Sequence, residues 1–278
     1  MTMAQACAWF GISRQAHYQM MRRQQEQAQR EARILDAVRA IRQRHPRMGA
    51  RKILHELRPE MAQKGFLTGR DRFFDLLARY DLLLPPPRQK RRTTWSGLWR
   101  GPNRLTDLTL THVQQVWVCD ITYLETAEGF CYLALVTDAF SRFIVGFDVS
   151  VTLAFEGALR AVKMGIAQAT APLDGLVHHS DHGVQYTCHA YRDFLGGHNI
   201  LLSMGEVGNC YDNALAERVN GILKQEYGLD GRLANPAHAL AATQQAIWLY
   251  NNERPHLSLN YLKPVEVHLN PLHKKSNQ

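Results

Sequence analysis

Val116-Trp117-Val118-Cys119-Asp120-Ile121-Thr122-Tyr123-Leu124 is a run of β-branched, aromatic and aliphatic residues broken by one acid. Side chains of this kind suit a pleated, half-buried surface, so the run reads as a strand. Two more apolar runs follow at residues 130–137 and 143–149, set apart by Glu128-Gly129 and Ser141-Arg142. Together they predict three consecutive strands in hairpin order. Beyond them the pattern alternates: a helix near 155–169, a strand near 175–178, a helix near 188–196 and a strand at 200–203, with a core helix at 237–250. A three-strand meander continued by such units predicts an α/β fold, a mixed sheet flanked by helices.

The acid inside the first strand is the residue to explain. An ionised carboxylate among apolar neighbours is costly without a partner or a metal. A lone strand Asp is most simply a structural hydrogen-bonding group, but Asp120 has company. Asp181, in His178-His179-Ser180-Asp181-His182-Gly183, leaves a predicted strand into a glycine-containing loop that lets backbone approach a ligand. Glu217 follows Tyr211-Asp212-Asn213-Ala214-Leu215-Ala216 on a helix predicted over 212–227. At about 100° per residue, Asn213, Glu217, Asn220 and Lys224 form one polar stripe, and Leu215, Val219, Ile222 and Leu223 gather on the other side. Ligand sites on α/β sheets lie at strand ends, where Asp120 and Asp181 fall. Three carboxylates are the donor set that hard cations such as Mg²⁺ require for work on phosphate esters. The residues read as a nucleic-acid strand-cutting or strand-joining enzyme, with Lys224 placed to bind a substrate phosphate.

Charge divides the chain. Residues 1–102 carry 21 Lys/Arg and 8 Asp/Glu, whereas residues 103–278 carry 12 and 17. A basic arm attracts phosphate polymers by releasing their counterions; the plainer alternative is a solvated, solubilising surface. Within the arm, residues 3–25 read as two short helices around Gly11, with Ser13 capping the second, which is a helix-turn-helix outline. Helical stripes follow at Ile34, Leu35, Val38 and Ile41, at residues 50–58 and at residues 70–80, the last carrying Arg70, Arg72 and Arg79 as a candidate recognition helix. Leu84-Pro85-Pro86-Pro87, followed by Arg88, Lys90, Arg91 and Arg92, has the composition of a stiff basic linker lying near DNA. The expected organisation is a helical, basic DNA-binding region at 1–83, a linker at 84–102, a catalytic body at 103–270 and a flexible tail at 271–278.

Five scattered cysteines show no metal or disulfide spacing, and no apolar run is long enough for a membrane span. This predicts reduced thiols and a cytoplasmic protein, nucleoid-associated when bound to DNA. The clustered His178, His179 and His182 offer a zinc reading, against which stand that adjacent strand residues point to opposite faces and that no second ligand pair has the usual spacing. Tyr211 as a recombinase nucleophile would need surrounding arginines that the sequence does not supply.

Asp181 and Glu217 enclose 35 residues, the spacing of the D,D(35)E core of retroviral integrases and many transposases, with Lys224 where that group carries a basic residue. Val118-Cys119-Asp120-Ile121-Thr122-Tyr123, His179-Ser180-Asp181-His182-Gly183-Val184-Gln185-Tyr186, Gly208-Asn209-Cys210-Tyr211-Asp212-Asn213-Ala214 and Asn251-Asn252-Glu253-Arg254-Pro255-His256 resemble the second-reading-frame (OrfB) transposase of bacterial insertion sequences of the IS three family. The resemblance spans essentially the whole chain. It departs after Glu217, where Arg218-Val219-Asn220-Gly221 stands in place of the relatives' Ser-Phe-Phe, and Gly221 costs helix stability up to ~1 kcal/mol relative to Ala.

The resemblance implies a ribonuclease-H-like integrase catalytic core preceded by an all-α, helix-turn-helix-type region. Asp120, Asp181 and Glu217 would bind two Mg²⁺ or Mn²⁺ and carry out DNA strand cleavage and 3′-hydroxyl strand transfer without a covalent protein–DNA intermediate. Gln185, Tyr186, Asn213, Lys224 and Arg254 are the expected DNA contacts in the body, beside Arg70, Arg72, Arg88, Lys90, Arg91 and Arg92 in the arm. The expected partners are terminal inverted repeats and target DNA, further copies of the chain on DNA, and an upstream-frame (OrfA) product as fusion or partner. Two other readings remain at this stage: an oligomeric DNA-binding regulator without catalysis, which metal-dependent nicking would exclude, and a hybrid-specific ribonuclease, which would need no basic arm.

Overall fold

The computed structural model describes residues 2–85, 101–106, 108–169, 172–205 and 214–270. Arg88, Lys90, Arg91, Arg92, Tyr211, Asn213 and the tail at 271–278 lie outside them. The chain forms two compact units, Met1–Pro85 and Pro86–Gln278.

The first unit is helical. Helix α1 (Met3–Trp9) opens on a capping box in which Thr2 accepts from the Gln5 N–H and the Gln5 side chain accepts from the Thr2 N–H. Ser13 then caps α2 through the Ala16 N–H at 3.0 Å. The two short helices expected over residues 3–25 are not what forms: α2 runs unbroken from Arg14 to Arg44. No Gly or Pro interrupts that stretch, and its Arg, Gln, Glu and Ala are good helix formers, so the second short helix continues into the stripe at Ile34–Ile41. Helix α3 (Ala50–Gln63) likewise passes through Pro59, beyond its expected end, and α4 spans Arg70–Arg79. The core of the unit is Ile34, Leu35, Val38, Ile53, Leu57, Met61, Phe73, Leu76 and Leu77. Burying such side chains contributes about 1.5–3 kcal/mol each.

The second unit is built on a five-stranded sheet of order β3-β2-β1-β4-β5. Strands β1 (Val116–Thr126), β2 (Gly129–Asp138) and β3 (Ile144–Ser150) form the antiparallel meander. Strand β4 (Val177–Ser180) pairs parallel with β1, and β5 (Leu201–Met204) pairs parallel with β4. Between β3 and β4 runs α5 (Phe155–Ala167); between β4 and β5 run α6 (Val184–Thr187) and α7 (His189–Gly197). After β5 come α8 (Ala214–Tyr227), α9 (Pro236–Asn252) and α10 (Pro264–Leu269). The mixed sheet flanked by helices is the α/β fold expected from the sequence, preceded by the helical region.

Period-two alternation along β1 assigns its faces. Trp117 and Cys119 pack with residues of α5 and α7. Leu124, with Leu133 and Leu135 of β2, packs under Val219, Ile222 and Leu223 of α8 and Ala246, Ile247 and Tyr250 of α9. The α5 layer sits unusually close: a Cβ on Gly146 of β3 would lie 2.0 Å from the Ala161 carbonyl oxygen, so only glycine fits there. No helix among the described residues is long and apolar enough to cross a membrane.

Candidate active site

Val116, Trp117 and Val118 of β1 stand opposite Val177, His178 and His179 of β4. The same offset, carried two residues further, sets Asp120 opposite Asp181, the residue that follows the last one of β4. Asp120 continues the Val118 face of β1, and Asp181 lies close enough to raise its proton affinity. That face is covered by the start of α8, where Ala216 packs with Val116, Val118 and Val177. Glu217 is the next residue, and it is exposed.

Hydrogen bonds fix the two aspartates. Asp120 Oδ1 accepts from the Ile121 N–H at 3.0 Å and Oδ2 from Asn220 Nδ2 at 2.7 Å. Asn220 stands one turn after Glu217 on α8, so this bond ties the glutamate's helix to the first strand. Its Oδ1 is buried and has no hydrogen-bond partner among the described residues. Asp181 Oδ1 accepts from the Gly183 N–H at 3.0 Å, and a Cβ on Gly183 would crowd that same oxygen at 3.0 Å. Asp181 thus sits in a tight turn that a side chain at 183 would disturb.

The electrostatics are those of acids forced together. Burial pushes the Asp120 carboxyl up to about 7, and repulsion from Asp181 and Glu217 adds to this; the Asn220 and Ile121 bonds oppose it. Asp181 is also raised, by burial, against the Gly183 N–H and His182, which favour its anion. Glu217 therefore belongs to the same field as the aspartates. Among the described residues, however, no group of three His, Cys, Asp or Glu side chains is arranged to hold a metal ion as it stands. Asp120 feels the charge of both Asp181 and Glu217, and Glu217 is exposed. The donor chemistry suits a divalent cation: oxygen donors throughout, with a strand carboxyl whose anion the surroundings leave undercompensated.

The histidines serve the scaffold. His178, fully buried, meets the Tyr191 hydroxyl at 2.8 Å, and burial takes its pKa down to about 3. His179 Nδ1 meets Ser203 Oγ at 2.9 Å, and His182 Nε2 meets the Gly205 carbonyl at 2.5 Å.

Comparison with known proteins places the chain. An integrase core domain model matches residues 111–210, and a second integrase core domain model matches residues 198–264. The chain is 33% identical over 266 residues to the insertion element IS600 uncharacterized 31 kDa protein of Shigella sonnei, covering 93% of this chain and 96% of that one. It is 33% identical over 225 residues to the transposase for insertion sequence element IS629 of Shigella sonnei, covering 80% and 74%. The chain belongs to the insertion-sequence transposases with an integrase core. It is an enzyme of the polynucleotidyl transferase class, and the integrase core implies dependence on a divalent metal. A solved structure, the HTLV-2 integrase catalytic core domain in complex with magnesium, overlaps 56% of this chain and 97% of its own, with 19% identity and a TM-score of 0.45.

The remaining expected contacts of the transposase divide by exposure. Arg70 and Arg72 are exposed on α4, Arg70 beside Asp71 at 2.9 Å. Arg79 is held by Glu31 of α2 at 2.9 Å. Lys224 is partly buried, two turns after Glu217 and about 10 Å along the same side of α8. Gln185 is partly exposed, with Nε2 donating to the Leu153 carbonyl at 2.9 Å. Two expectations need correction. Tyr186 is buried at 2% exposure, packed on His178 and Tyr191, so its ring is core and offers DNA no surface. Arg254 is also 2% exposed, and its guanidinium is spent on Glu226. Both sit in polar-looking motifs, and sequence spacing does not report which way such side chains turn. Asn220 was missing from the expected site residues although it lay on the Glu217 stripe; only the pairing of α8 with β1 reveals its partner.

Proposed function

We propose that the chain is the OrfB transposase of an IS three family insertion sequence and that Asp120, Asp181 and Glu217 are its catalytic acids. The observation that carries this reading is that Asp120 meets the charge of both Asp181 and Glu217, with Asn220 bonding the Glu217 helix to the same strand. The three acids would hold two Mg²⁺ or Mn²⁺, and these would stabilise the attacking and leaving oxygens of an in-line displacement at phosphorus. In cleavage at the element's end a water oxygen forms the new bond to phosphorus and the 3′ oxygen leaves. In joining, that 3′-hydroxyl attacks a target phosphodiester.

The protein's part is to fix and ionise the acids. The Gly183 N–H orients Asp181, and Asn220 and Ile121 favour the Asp120 anion against burial. Glu217, exposed in the first turn of α8, would supply the third carboxylate. Lys224 on the same stripe would meet a substrate phosphate. Residues 1–83, with Arg70 and Arg72 exposed on α4, and the linker at 84–102 with Arg88, Lys90, Arg91 and Arg92 would bind the terminal inverted repeats, leaving residues 103–270 as the catalytic body and 271–278 as a tail. Gln185 and Asn213 would touch DNA beside the acids. Bringing two ends together calls for more than one copy on DNA, and an OrfA product would supply further end recognition as fusion or partner.

The test is incubation with labelled DNA carrying the element's ends, with Mg²⁺ or with EDTA, reading cleavage and joining. Asp120→Asn, Asp181→Asn and Glu217→Gln should each abolish both reactions while DNA binding persists. Metal-dependent cleavage by any of the three variants would refute the assignment.

A further inference from the structure

The segment Asn251-Asn252-Glu253-Arg254-Pro255-His256, which resembles the family's sequence yet faces inward, ties three elements together. Asn251 Oδ1 accepts from the Ile144 N–H at 2.9 Å and its Nδ2 donates to the Ile144 carbonyl at 3.0 Å, fastening the end of α9 to β3. Three residues on, Arg254 Nε and Nη2 donate to Glu226 Oε2 and Oε1, both at 2.7 Å, fastening the same segment to α8. Arg254 Nη1 meets His256 Nε2 at 2.9 Å, and the guanidinium lies 5.8 Å from the Tyr250 ring centroid.

We propose that Arg254 is a positioning residue, which clasps Glu226 and so sets α8 where Asn220 meets Asp120. The proposal rests on the reading of Asp120, Asp181 and Glu217 as the metal-holding acids. Glu226 follows Glu217 by nine residues, about 13.5 Å along the axis and half a turn around it. Arg254 therefore grips the helix half a turn from Glu217, on the side that carries Val219, Ile222 and Leu223, rather than at the acids. A buried ion pair is a weak source of net stability, since loss of hydration offsets the attraction. Its forked geometry fixes orientation instead, because two parallel N–H···O bonds leave neither partner free to turn. The apolar face of α8, with Val219, Ile222 and Leu223 in the core, resists lifting of the helix. Sliding or rotation along that face would carry Asn220 off Asp120, and the clasp opposes it.

Three full-length variants test this: Arg254→Lys, which keeps the charge and loses the fork; Glu226→Gln; and the double replacement Arg254→Met with Glu226→Met, which removes the pair without leaving a lone buried charge. The readouts are thermal midpoint, binding to element-end DNA, and Mn²⁺ affinity from the electron paramagnetic resonance signal of free Mn²⁺. The expected result is Mn²⁺ affinity about tenfold weaker in each folded variant, the lower end of what groups that orient metal ligands contribute, with DNA binding retained. The double variant should lose metal affinity even where its thermal midpoint matches the parent. Native Mn²⁺ affinity in the double variant, or in Arg254→Lys should the double variant not fold, overturns the proposal and leaves the pair a structural contact. Weakened DNA binding with unchanged Mn²⁺ affinity overturns it in favour of a DNA contact. If instead Mn²⁺ binding by the parent is indifferent to Asp120→Asn, the acid reading itself fails and takes the clasp with it.

Discussion

Replacing Asn220 by Ala removes the 2.7 Å bond to Asp120 Oδ2 and nothing else that reaches the acids. That bond lowers the proton affinity of a carboxyl which burial and neighbouring acids have pushed up to about 7. A hydrogen bond to a charged group is worth about 1.5–3 kcal/mol. At 1.36 kcal/mol per tenfold, its loss favours the protonated form by about 10- to 100-fold. A proton and a divalent cation compete for the same oxygens, so below metal saturation the cleavage rate follows the ionised fraction. In the native chain that rate should climb as pH rises through about 7, where Asp120 loses its proton. In Asn220→Ala the climb should move about one to two pH units higher, and saturating Mn²⁺ should recover much of the loss. The assay is the pH dependence of end cleavage at limiting and saturating Mn²⁺, with DNA binding as control. An unchanged profile would show that Asn220 does not tune Asp120. A loss that neither pH nor metal restores would show that it acts on the packing of α8 instead.

Gly146→Ala should destabilise the second unit by more than the ~1–3 kcal/mol usual for overpacking, because the new methyl group would meet the Ala161 carbonyl oxygen at 2.0 Å; thermal denaturation reads it. Gly183→Ala should leave the thermal midpoint nearly unchanged and depress cleavage, since its Cβ crowds Asp181 Oδ1 at 3.0 Å. Phe73→Ala should cost about 3–5 kcal/mol in the first unit, seen as lost affinity for element-end DNA with Mn²⁺ binding intact. His178, at about 3 in the fold against 6.5 free, stays neutral when buried, so the unfolded chain takes up its proton first. Stability should fall as pH drops from about 6.5 towards 3, and His178→Gln should flatten that slope in acid denaturation. Asp120 has the opposite sign: raised from 3.8 to about 7, it destabilises the metal-free fold as pH rises through that window. Added Mn²⁺ should therefore lift the thermal midpoint more at pH 8 than at pH 6.

Strand and helix periods gave the meander, the order of the later elements and the apolar face of α8, because burial imposes those periods on the sequence itself. The end of β4 fell two residues beyond its expected position, and Asp181 follows it directly. Helix lengths in the first unit were the weak point. Gly11 announces a break, whereas the continuity of Arg14–Arg44 is announced only by the lack of one, and Pro59 proved compatible with α3. At the site, the spacing of Asp181 and Glu217 singled out the acids, but the partner of Asn220 depends on how α8 crosses β1, a long-range fact. Tyr186 and Arg254 were misassigned to DNA because a polar residue type carries no record of the core it turns into.

Strand β3 is an end strand of the sheet, and such strands expose peptide groups that can recruit a neighbouring chain. At Ile144 the primary amide of Asn251 occupies both the donor and the acceptor, much as a peptide unit of an added strand would. The border is thereby plugged at its first residue, and an incoming segment in ladder register would have to evict that amide. Asn251→Ala should accordingly unmask a sticky margin and raise aggregation on mild heating.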